Sequence, residues 1–191
     1  EYVLLGVEHI WLGIDHLLFV LALVLLVNNT RRLIWTITSF TIGHSITLSL
    51  VVLGYLNFPV SLVELTIAAS ILVLAVELVK QQQVGQQSSR WISGHSWLVA
   101  ILFGLLHGMG FAGALKEVGL PLGDIPLALL SFNVGIELGQ IAFVVVVVLA
   151  MRAGRRYLTA ISRPAWWVTV YTIGGLSAFW CIERGVGALP V

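Results

Sequence analysis

Several short stretches of an otherwise apolar chain carry groups able to bind a cation or relay a proton. The segment "EHIWLGIDHLLF", Glu8 to Phe19, holds two carboxylates and two histidines; His44, Glu64, Glu77 and His107 follow, and Asn133, Glu137 and Gln140 complete the set. Imidazole nitrogen combined with carboxylate and amide oxygen suits first-row divalent ions, and the lack of thiolate ligands argues against copper(I) or iron–sulfur chemistry. Ligand type alone leaves nickel, cobalt, zinc, manganese and iron(II) open. In a helix, Asn133, Glu137 and Gln140 obey the i, i+4, i+7 spacing and form one polar stripe. His9 and His16 share a face, with Glu8 and Asp15 on the adjoining one. Seven residues of helix rise about 10 Å, so this spacing predicts two rungs of a path instead of one chelate.

The elements that must hold these groups are helices in lipid. Of the 191 residues 59% are hydrophobic and 10% charged, and the mean hydropathy is +1.01, outside the range of a soluble domain. A span needs about 20 mainly apolar residues to cross a core about 30 Å thick. By that measure the chain predicts a polytopic all-α bundle of six spans in a single domain, residues 1–191: Leu4 to Val27, Leu33 to Leu53, Val60 to Val79, Trp97 to Leu115, Ile125 to Met151 and Trp166 to Ile182. Arg31, Arg32, Lys80, Arg90, Arg152, Arg155, Arg156 and Arg163 fall in the first, third and fifth loops, against Lys116 and Arg184 on the other side. Positive residues mark the cytoplasmic face, so both termini are expected outside it. Trp35, Trp91, Trp97, Trp166 and Trp167 stand near helix ends, as interfacial anchors do. The single cysteine, Cys181, has no internal disulfide partner. A net charge of +1, with its basic residues in short loops, gives no nucleic-acid face. The expected partners are membrane lipids and a metal ion. The chain starts at Glu1, without Met, which leaves room for a segment before it.

A charge at mid-membrane costs about 2.5–3.5 kcal/mol on the insertion scale, so these groups must meet one another, water or a ligand. From the predicted orientation, Asp15, His16, His44 and His107 fall near the middle of their spans, with His9, Glu64, Asn133 and Glu137 toward the outer half. Glu77, three residues before Lys80, reads as a structural pair, and His95 as an interfacial residue. The Thr36, Ser39, Thr41, Ser45, Thr47 and Ser49 face of the second span is most simply interhelical hydrogen bonding, with pore lining as the alternative. Gly104, Gly108 and Ala112 make a smooth strip beside His107, and Gly135 and Gly139 another; such strips serve internal packing or a homo-oligomer equally well.

The residues resemble the HupE/UreJ membrane proteins over nearly the whole chain. The most specific match is that family's first-helix motif of His, five residues, Asp and His, here His9 to Asp15-His16. "FTIGHSITLSL", "FGLLHGMGFAGAL" and "FNVGIELGQ" resemble its second-type branch, whose members commonly carry an additional extracytoplasmic N-terminal region. The resemblance implies a multi-pass protein of the bacterial inner membrane that takes up nickel or cobalt. In the better-studied branch the fourth helix reads Phe-His-Gly-x-Ala-His-Gly-x-Glu; here Phe103 and Gly110 replace its first His and its Glu, and Glu137 and Glu64 are the candidates to supply the missing carboxylate. The leading expectation is a divalent transition-metal permease, for nickel, cobalt or a similar ion such as zinc. In it His9, Glu64 and Glu137 receive the ion and Asp15, His16, His44 and His107 hold it, with Asn133 beside them. The alternative is an intramembrane metal-dependent hydrolase with a His/carboxylate zinc site, which neither an HExxH motif nor a Ser/Lys dyad supports. A bis-histidine haem protein using two of His16, His44 and His107 is a third reading.

Overall fold

Backbone amides in hydrocarbon must bond within their own segment, and the regular elements among the described residues are all helices. The computed structural model describes residues 1–27, 29–83, 94–118, 124–157 and 162–188, without the side chains of 111–118, 155–157 and 162–163. Among the described residues there are seven helices: α1 Tyr2–Leu12, α2 Ile14–Leu26, α3 Thr30–Val52, α4 Val60–Gln83, α5 Ser96–Val118, α6 Ile125–Tyr157 and α7 Ser162–Gly187. Local chemistry sets several ends. The Asn29 side chain accepts the Arg32 amide at 3.0 Å and caps α3. Gly54 turns the chain out of α3 at φ 83, a conformation that glycine adopts without strain. Pro59 gives its carbonyl to the Leu62 and Val63 amides at the start of α4.

Four helical stretches are long and apolar enough to cross a membrane: Thr30–Val52, Val60–Gln83, Ile125–Gly154 and Pro164–Gly187. The pair α1 and α2 makes a fifth if its two parts count as one span, but they are bent by 75° at Gly13. This corrects the straight first span expected over Leu4 to Val27. The described apolar part of α5, Ser96–Gly110, is shorter than the others, and Trp91 and Arg90 lie outside the described residues.

α2 is apolar all round apart from Asp15 and His16, and such a helix belongs at the centre of a bundle. His16, Phe19, Val20, Leu23 and Leu26 are all buried, and α2 packs against α4, α6 and α7. Around it α3 pairs with α5, α1 with α6 and α4 with α7. Two of these pairs bring backbones close enough that only glycine fits. A Cβ on Gly104 would strike the Phe40 carbonyl and one on Gly108 the His44 carbonyl, across α3 and α5; one on Gly6 would strike the Phe132 carbonyl, across α1 and α6. Thr36 and Ser96 share a hydrogen bond of 2.8 Å, and Thr47 donates to the Leu105 carbonyl at 2.7 Å, so these two threonines tie α3 to α5 as expected, while Ser39 and Ser45 donate to carbonyls of α3 itself.

The outside of the bundle inverts the pattern of a soluble protein. Leu127, Leu130, Val134, Leu138, Ile141 and Val145 step along α6 at three- and four-residue intervals, all exposed, as a lipid-facing stripe requires. The protein is a membrane protein. Its buried apolar residues form two clusters, one around Phe19, Phe40 and Leu74, the other around Ile10, Leu48, Phe132 and Ile136.

Candidate metal centre

The polar groups converge between those two clusters, and the break at Gly13 is what brings them there. Gly13 leaves the helical conformation at φ −79, ψ 95, yet its N–H still bonds the His9 carbonyl at 3.0 Å, and its own carbonyl accepts the Leu17 amide at 3.1 Å. One residue thus closes α1 and opens α2, leaving few backbone groups orphaned. The bend folds His16 back toward His9, and their ring centroids stand 4.5 Å apart. The two-rung spacing drawn from a continuous helix is therefore corrected: both imidazoles belong to one group.

His44 on α3 completes it. Ligand-capable atoms of His9, His16 and His44 lie within 4.8 Å of one another. Three nitrogens bonded to one ion at about 2.0–2.1 Å stand about 3.3–3.6 Å apart, so the rings would draw together by up to about 1.5 Å to close on a cation. His107 on α5 adds a fourth ring 5.2 Å from His16. Phe19 and Phe40 wall one side, 5.4 and 5.1 Å from the His107 ring, and Phe132 stands 5.6 Å from His9 on another. These aromatic walls exclude water and strengthen whatever electrostatic contacts form inside.

Hydrogen bonds decide which nitrogen each ring offers. Nδ1 of His16 lies 3.1 Å from Asp15 Oδ1, Nδ1 of His107 lies 2.8 Å from the Phe103 carbonyl, and Nδ1 of His44 lies 3.4 Å from Asn133 Oδ1. The Asn133 amide is itself oriented, because its Nδ2 donates to the Leu129 carbonyl at 2.8 Å. All three acceptors are oxygens, so each Nδ1 carries the proton and donates it. The Nε2 atoms of His16, His44 and His107 are left buried without a hydrogen-bond partner, each presenting a lone pair. Outer-shell oxygen on one ring nitrogen with the other free is the arrangement of metal-ligating histidine. Charge agrees: the carbonyl end of α1 favours a cation, and Asp15 at the start of α2 offsets the positive end of that helix.

Not all the expected residues join the group. Glu64 is exposed on α4, and its backbone carbonyl accepts from Arg184 at 3.0 Å. Glu8 is exposed as well. Glu137 is half-buried on α6 and takes a hydrogen bond of 2.6 Å from Thr38. Thr38 lies six residues before His44, toward the arginine-bearing end of α3. Glu77 is buried on α4. Sequence reasoning missed Gly13, the Phe103 carbonyl and the partners of the α6 stripe. A glycine placed between His9 and an Asp-His pair was the available signal for the first.

No curated protein and no solved structure matches the chain. A family model does, that of the HupE / UreJ protein, over residues 1–184. The chain belongs to the HupE/UreJ family.

Proposed function

We propose that this chain carries a divalent first-row transition-metal ion, of the nickel, cobalt or zinc class, across the bilayer through the histidine group. His9, His16 and His44 bind the ion, His107 exchanges with them as a fourth nitrogen, and Asp15 and Asn133 hold two of the rings in the ligating tautomer. The observation that carries this reading is the convergence of three imidazoles from α1, α2 and α3 in a buried, aromatic-walled position inside a lipid-facing bundle. Family membership supports it, since HupE/UreJ proteins are associated with nickel and cobalt uptake. Imidazole nitrogen accepts nickel, cobalt and zinc alike, so the cargo is named by flux. Six crossings with both termini on the outer face complete the proposal, the bent α1–α2 pair and α5 each counting as one.

The test is uptake of nickel, cobalt, zinc and manganese into proteoliposomes by the native chain and by His16→Ala. Uptake of at least one ion that falls at least tenfold in the variant is expected. A native chain that moves none of the four, or a variant that moves them at the native rate, overturns the proposal.

A further inference from the structure

The polar stripe of α6 lies outside the histidine group, and its partners on α3 give it a direction. Thr41 and Thr38 precede His44 by three and six residues, and each step of three rises about 4.5 Å along a helix. At the first step Thr41 Oγ1 donates to Gln140 Oε1 at 3.2 Å; at the second Thr38 Oγ1 donates to Glu137 Oε1 at 2.6 Å. Together with His44 and Asn133 Oδ1, these crossed pairs form one polar seam between α3 and α6, in which Glu137 stands one turn and Gln140 two turns beyond Asn133 along α6. The seam runs from the imidazoles toward the helix end that carries Arg31 and Arg32. Gln140 is 1% exposed and Thr41 5%, so that pair is enclosed, whereas Thr38 and Glu137 are half-buried. Among the described residues no lysine or arginine pairs with the Glu137 carboxylate; the Thr38 hydroxyl is its partner.

We infer that Glu137, with Thr38, is a second and weaker cation station on the arginine side of the histidine group, one helical turn beyond Asn133 on α6. The inference rests on the permease reading and supplies what that reading lacks, a way out. Imidazole nitrogen holds a first-row ion more firmly than oxygen ligands do, and conduction needs sites weak enough to release what they receive. A stripe of carboxamide, hydroxyl and carboxylate oxygen below a nitrogen site gives that fall in affinity. The charge of Glu137 then draws the ion off the imidazoles.

Glu137→Gln separates this role from simple packing. A glutamine oxygen accepts the Thr38 hydroxyl as the carboxylate does, so an interhelical tie survives the change while the charge is lost. The experiment titrates the purified native chain, Glu137→Gln and Glu137→Asp with nickel, cobalt, zinc and manganese, then measures uptake of each ion into proteoliposomes. Glu137→Gln should bind within about threefold of the native affinity but transport at least tenfold more slowly, and Glu137→Asp should recover most of the flux. Native flux in Glu137→Gln overturns the inference while leaving the permease standing; a native chain without flux overturns both. Should Glu137→Gln lose metal binding as well, Thr38→Val decides: native flux in that variant overturns the station, and slowed flux with binding retained upholds it.

Discussion

Asp15 does two things with one oxygen. Its Oδ1 accepts the His16 backbone N–H at 2.9 Å and stands 3.1 Å from the same residue's Nδ1, so it both satisfies a first-turn amide of α2 and fixes the tautomer of the ring. Outer-shell partners of metal-bound histidine are worth roughly 10–100-fold in affinity. Asp15→Asn should therefore weaken metal binding by about that factor, as measured by titration of the purified protein, while leaving its melting temperature nearly unchanged. Asp15→Ala also removes the oxygen that accepts the first-turn amide, and should cost a further 0.5–2 kcal/mol of stability, about the value of a lost helix cap. Full affinity in both variants would show that packing against Phe40, whose ring lies 6.5 Å from that of His16, orients the imidazole unaided.

At the scale of elements, the hinge between α1 and α2 decides whether there is one site or two. A Cβ on Gly13 would stand 2.6 Å from His16 Nδ1 and 2.9 Å from the His9 carbonyl, so one of them must move. Gly13→Ala should lower metal affinity at least tenfold while keeping the helical circular dichroism. Gly175→Ala in α7, where a Cβ meets nothing within 4 Å, should leave affinity intact; an equal loss in both variants would show that the hinge has no special part. The hinge also explains what the sequence left obscure. Helix positions, the apolar character of the chain and the interhelical hydroxyls of α3 follow from composition and spacing, because 3.6-residue periodicity and hydropathy are local. A lone glycine in a helix costs only about 1 kcal/mol, so "LGID" does not force a break by itself. The break follows from tertiary contacts around His9, His16 and His44, and from Asp15 offering its side chain to a backbone amide, the competition that makes aspartate unfavourable within helices. For the same reason Glu137 was legible as an intramembrane carboxylate but not its partner, Thr38 on another helix.

For the whole molecule, the question is from which side the histidine group is reached, and α1 with α2 answers it. Counted as one bent crossing, the pair puts Glu1 on the face opposite Asn29; counted as a re-entrant element, it puts both on the same face. Arginines at the start of α3 favour the cytoplasmic side for Asn29, and α3 then delivers the α3–α4 turn to the outside. Four exposed positions read the topology in a Cys181→Ser background: Glu1, Asn57, Gln82 and Gly187. Each is replaced singly by cysteine and treated in intact cells with a membrane-impermeant maleimide. Six crossings predict labelling at Glu1→Cys, Asn57→Cys and Gly187→Cys, and protection of Gln82→Cys until the membrane is opened. Protection of Glu1→Cys alone would instead make α1–α2 re-entrant from the cytoplasmic face. His9 and Glu137 would then be approached from the same side, and the descent from nitrogen to oxygen ligands could no longer serve as an exit for an ion arriving from outside.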